Sequence, residues 1–240
     1  MLRPLILITL LLASGVAGAA TTTPELIAGV FEPARLAPAF ALRGSDGAEL
    51  RLSHHRGKVV LLAFGYTSCT EVCPITQTVL AAARKKLGPA ADQLQVVYVT
   101  VDPKRDTVER MNSYMKAFYP SFVGGTGTPA ELAAVRANYG ISVSKEIPFP
   151  GGYALNHSSY IYLIDRHGAL RALMPYGHSA EDFAHDARIL MAQQGFGAVP
   201  EIQDSPWRAA FVARATLSLA SGWSASRGRR SLPSASAPRT

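Results

Sequence analysis

Val59-Val60-Leu61-Leu62-Ala63-Phe64 is an unbroken apolar run between Lys58 and Gly65, and it predicts a strand buried on both faces. Leu94 to Val101 predicts a second strand of the same kind. Between the two, Ile75, Val79, Leu80, Ala83 and Leu87 recur at helical spacing. Pro74 suits the first turn of that helix and Gly88 its end. Asp106-Thr107-Val108-Glu109 has capping-box spacing, with Val108, Met111, Met115 and Phe118 on one face of the helix it opens. Thr128-Pro129-Ala130-Glu131 opens another helix, whose apolar face is Leu132, Val135 and Tyr139. Ser179 starts a last helix that runs to about Gln193.

Two hairpins complete the pattern. Phe40-Ala41-Leu42 and Leu50-Arg51-Leu52 flank the turn Gly44-Ser45-Asp46-Gly47. Ser158 to Ile164 and Leu170 to Met174 flank Asp165-Arg166-His167-Gly168. The order is hairpin, strand, helix, strand, helix, helix, strand, strand, helix. It predicts an α/β fold of thioredoxin-like plan: a mixed central sheet flanked by helices, with an N-terminal hairpin.

The ends read differently. Met1-Leu2-Arg3, an uncharged apolar run from Leu5 to Val16 and Ala17-Gly18-Ala19 predict a signal peptide or membrane anchor over residues 1–19. The apolar run is shorter than the roughly 20 residues of a spanning helix. Residues 20–38 read as a linker, residues 39–196 as the domain, and residues 197–240 as a low-complexity basic tail expected to be disordered. An exported domain sits where thiols can oxidise, in the periplasm or at the periplasmic face of the inner membrane.

Charge adds an exclusion. The net charge is +7, but from Glu201 onward six arginines face only Glu201 and Asp204, and Arg3 adds one more. The remainder carries about +2 with no basic stripe interleaved with aromatics, which argues against nucleic-acid binding. There are 2 cysteines, Cys69 and Cys73, too few and too close together for a disulfide scaffold.

Those cysteines sit between a buried strand and a helix N-terminus, where free N–H groups and the helix dipole favour the thiolate. The i, i+4 spacing puts both sulfurs on one side of the first turn. Such a pair either forms a reversible disulfide or holds a thiophilic ion, and the spacing alone leaves both open. With an imidazole as third ligand the set suits copper, whereas zinc would usually take a fourth ligand. Of the six histidines, His54, His55, His167, His178 and His185 fall in polar stretches, turns or helix margins. His157 stands apart, at the start of an apolar strand expected to lie near the cysteine-bearing one.

The run Phe64-Gly65-Tyr66-Thr67-Ser68-Cys69-Thr70-Glu71-Val72-Cys73-Pro74 resembles the SCO/SenC family of cytochrome c oxidase copper-assembly proteins. So do the stretch from Gly57 to Leu62, the stretch from Val101 to Thr107, and the stretch from His157 to Asp165. The resemblance implies that Cys69, Cys73 and His157 bind Cu(I) or Cu(II), with Asp102 supporting the metal-bound state from behind the ligands. It implies service to the oxidase subunit carrying the CuA site, as copper donor or thiol reductant. Other periplasmic copper chaperones or thiol reductases are implied as further partners. Ser68, Thr70 and Glu71 stand where the family often has His, Pro and Asp, none of them a ligand in its pattern. Two enzyme readings stand beside the chaperone: an exported thiol–disulfide oxidoreductase using Cys69 and Cys73 without metal, and a thiol peroxidase.

Overall fold

The computed structural model describes residues 25–193, so the expected signal segment or anchor and the tail lie outside the described residues. The strands are β1 (Gly29–Leu36), β2 (Ala41–Gly44), β3 (Glu49–Arg51), β4 (Val59–Gly65), β5 (Leu94–Thr100), β6 (Val123–Thr126), β7 (Ile147–Phe149), β8 (Gly152–Ala154), β9 (Tyr160–Ile164) and β10 (Ala169–Pro175). The helices are α1 (Val72–Lys86), α2 (Val108–Phe118), α3 (Pro129–Tyr139) and α4 (Ala180–Ala192). Eight strands form one sheet in the order β1-β10-β9-β4-β5-β6-β2-β3, and β7 with β8 makes a separate hairpin.

β4 and β5 are parallel neighbours at the centre, and every residue of both is buried. In that register Ala63 lies beside Tyr98, so Tyr98 and Phe64 point to opposite faces. Tyr98 stacks on Tyr114 of α2, while Phe64 meets Tyr139 of α3 and Tyr162 of β9. Helices therefore cover both faces, and the fold is the thioredoxin-like α/β arrangement that the order of elements predicts.

Three segments depart from the expectation. The stretch read as a linker contains β1, whose Gly29 and Val30 pair with Leu173 and Ala172 of β10. The start of this strand is clamped by Asp186 of α4, whose carboxylate accepts the N–H groups of Ile27 and Ala28, each at 2.9 Å. β6 was not predicted because Gly124 and Gly125 read as loop. A Cβ on Gly124 would lie 2.7 Å from Met111 Cε and one on Gly125 2.7 Å from Leu50 Cδ2, so close packing excludes side chains there. The β7–β8 hairpin was hidden by Pro148, Pro150 and Gly151, the last turning with a positive φ of 89°.

One cap is displaced. Thr107, not Asp106, caps α2, its side chain accepting the Arg110 N–H at 3.2 Å. Asp106 turns inward instead.

Candidate metal centre

β4 ends at Gly65, and residues 66–71 carry the chain into α1. β9 runs antiparallel to β4, with Ala63 opposite Ile161, so its leading end lies at the end of β4 from which the cysteine loop departs. His157 precedes β9 and is held there by an isolated bridge to Val143. Its Nε2 stands 3.5 Å from Cys73 Sγ. Nδ1 lies 3.0 Å from the Ser158 carbonyl oxygen, which assigns the neutral ring's proton to Nδ1 and leaves the Nε2 lone pair for the sulfur side. The Tyr66 ring packs edge-on against the imidazole with centroids 6.0 Å apart.

No side-chain oxygen caps α1 at Glu71. Cys69 serves in its place, its sulfur accepting the Cys73 N–H at 3.4 Å. The Cys73 thiol donates to Cys69, and the Cys73 and Glu71 backbone N–H groups add to it against the cost of burial, so the Cys69 thiol is lowered to about 5. Cys73, by contrast, is 2% exposed and is pushed far up by its role as donor to Cys69 and by burial. The pair is thus one thiolate and one thiol.

The loop is fastened from below by Asp106. This carboxylate is 0% exposed and accepts the Thr67 N–H at 3.0 Å together with the hydroxyls of Thr67 and Thr100. Arg110 reaches over the loop to Thr67 Oγ1 at 2.6 Å and Ser68 Oγ at 3.0 Å. Asp106 and Arg110 were not singled out in the sequence, where Asp106 reads as a helix cap.

Asp102 is buried, and its carboxylate bonds Arg105 Nε and the Tyr153 hydroxyl rather than a sulfur or the imidazole. Arg105 lies over the rings of Tyr153 and Tyr66, 3.7 Å and 5.4 Å from their centroids, so Asp102 reaches His157 only through intermediaries. Among the other histidines, His178 and His185 face Asp182 and Asp186. His55 is half-buried rather than on a polar surface, and burial lowers its imidazole.

The structure therefore brings Cys73 and His157 together, with Cys69 one N–H away. An ion about 2.3 Å from sulfur and about 2.0 Å from nitrogen, bond lengths typical of zinc, fits their 3.5 Å gap. Among the described residues no group of three His, Cys, Asp or Glu side chains forms a ready-made metal cluster. Two sulfurs and an imidazole are nevertheless the donor types that a soft copper ion takes.

The sequence profile of the SCO1/SenC family matches residues 30–192. The chain belongs to the SCO1/SenC family. A SCO1/SenC relative, the mitochondrial protein SCO1 homolog 1 of Arabidopsis thaliana, is 34% identical over 126 residues, 52% of this chain and 38% of that protein. The match thus spans well under half the length of that relative. Copper-bound Arabidopsis thaliana ScoI has a similar structure, with 29% identity and a TM-score of 0.60 over 65% of this chain and 97% of that one. Copper-bound Bradyrhizobium japonicum ScoI gives 32% identity and a TM-score of 0.59, covering 64% of this chain and 98% of the other.

Proposed function

We propose that this chain binds a copper ion through Cys69, Cys73 and His157 and handles copper for the assembly of cytochrome c oxidase. Its client in this reading is the subunit that carries the CuA site, and its place is the periplasm or the periplasmic face of the inner membrane. The reading rests on the 3.5 Å approach of His157 Nε2 to Cys73 Sγ, across 84 residues of chain. A pure thiol reductant has no need of that imidazole, and the copper-bound structures of similar chains support the same ion here. In binding, the Cys69 sulfur leaves the helix N–H groups and turns towards the ion, while Asp102 acts from behind by holding Arg105 and Tyr153.

A second reading, thiol–disulfide exchange, is favoured by the unlike pair: Cys69 is the thiolate nucleophile and Cys73 the buried thiol that would resolve a mixed disulfide. Competitive copper titration of the reduced protein, wild type beside His157→Ala, separates the two. The copper reading expects tight binding in the wild type and an affinity at least tenfold weaker in the variant. Weak binding that is the same in both proteins, with disulfide exchange intact, would select the reductant.

A further inference from the structure

Behind Cys73 the core contains polar groups with nothing to bond. Gln77, one turn along α1, is 0% exposed, and neither its Nε2 nor its Oε1 has a partner. The Tyr114 hydroxyl is buried without a partner too, and the buried Tyr98 hydroxyl, short of a well-formed hydrogen bond, faces the Cys73 sulfur. Leaving such a group unmet costs about 1–3 kcal/mol, a cost that phenylalanine or leucine would avoid. Tyr98 is the one placed against the site. A Cβ on Gly65 would lie 2.1 Å from its hydroxyl oxygen and 2.8 Å from Cys73 Sγ, so oxygen and sulfur flank one point on the bare glycine. Tyr98 also lines the same narrow cleft as Val72, Cys73, Thr76, His157 and Tyr160.

We propose that Tyr98 is a positioning residue of the copper site, its hydroxyl donating a hydrogen bond to the Cys73 sulfur once that sulfur is a metal-bound thiolate. The inference rests on the copper reading given above. In the metal-free protein Cys73 is a thiol, whose sulfur is a weak acceptor, so its contact with the phenol is a weak one. Metal binding releases the Cys73 proton to solvent and leaves a thiolate, a strong acceptor facing a donor already in place. The phenol keeps its own proton throughout. A hydrogen bond to the sulfur withdraws electron density from it and so favours Cu(I) over Cu(II).

The test compares the full wild-type chain with Tyr98→Phe, which removes one oxygen and keeps the ring. The variant is expected to shift the ratio of Cu(II) to Cu(I) affinity about tenfold towards Cu(II), a fall of about 59 mV for a one-electron couple. Its sulfur-to-copper charge-transfer band should move as well, while the metal-free protein melts no lower than wild type. A merely structural tyrosine would leave potential and band where they are, and that result overturns the proposal. Should Tyr98→Phe not fold, proton NMR of the Cu(I)-loaded wild type decides, since the bonded hydroxyl proton exchanges slowly with solvent and an unbonded one does not. A wild type that takes up no copper overturns both readings; copper uptake with an unmoved potential in Tyr98→Phe overturns this one alone.

Discussion

Tyr153 donates its hydroxyl to Asp102 Oδ1 at 2.7 Å, and this bond ties the β7–β8 hairpin to the turn after β5. Arg105 closes the clasp through Asp102 on one side and the Tyr153 carbonyl, at 2.8 Å, on the other. His157 follows the hairpin by three residues, so the clasp, together with the bridge to Val143, sets where the imidazole lies. Asp102→Ala should cost about 2 kcal/mol in denaturant unfolding, less than for a fully enclosed pair because Arg105 keeps some solvent contact. Tyr153→Phe should cost about 1 kcal/mol. Both variants should weaken copper binding about tenfold although neither removes a ligand. Unchanged copper affinity in both would detach the clasp from the site.

Cys69 and Cys73 should separate cleanly by alkylation. Mass-resolved labelling with iodoacetamide is expected to show Cys69 reactive with a midpoint at about pH 5 and Cys73 silent into the alkaline range. The folded Cys69 thiol lies below its unfolded value. Its contribution to stability is therefore present in full above the unfolded value, near 8.5, and is lost as the pH falls through about 5. In Cys69→Ala the main cause of the Cys73 shift is gone, and Cys73 should become reactive at lower pH than in the wild type. Equal midpoints for the two thiols in the wild type would refute the unlike pair.

Asp106 holds the cysteine loop by three hydrogen bonds from Thr67 and Thr100. Asp106→Ala leaves the Thr67 N–H and two hydroxyls short of partners and should destabilise the protein by about 3 kcal/mol. Amide exchange should quicken first at Thr67 and Cys69. If protection there matches wild type, Asp106 serves only the core.

Gly65→Ala should be harmful without any change of backbone preference, because the added methyl meets the Tyr98 hydroxyl and the Cys73 sulfur. A loss of about 1–3 kcal/mol is expected by thermal unfolding. Adding Tyr98→Phe removes the nearer obstacle, so the double variant should be more stable than the sum of the single effects. Strict additivity would place the clash elsewhere.

Elements that declare themselves through burial were legible in the sequence. β4 and β5 are unbroken apolar runs because both their faces are covered, and α3 carries the periodicity of one buried face. α1 does so only in part, since Ile75 of the expected apolar face is 46% exposed while Gln77 turns inward. β6 and the β7–β8 hairpin were not legible, since glycine and proline look the same in a loop as in a strand pressed by neighbours. The sulfurs stood out by residue type and by their place between a buried strand and a helix, whereas His157, next to an apolar strand, was singled out by the family resemblance. Asp106, Tyr98 and Gln77 did not, because their chemistry arises from tertiary neighbours: a carboxylate beside a threonine of another segment, a phenol beside a sulfur.

The two sulfurs differ in access as well as in protonation, Cys73 being enclosed and Cys69 partly open to solvent. An ion held between them would be most open to an incoming ligand at Cys69 and the half-buried His157, and least at Cys73. Exchange would then have a fixed last step, with the enclosed Cys73 keeping its grip until the recipient has taken hold. A cargo handed over in that order is never free in solution.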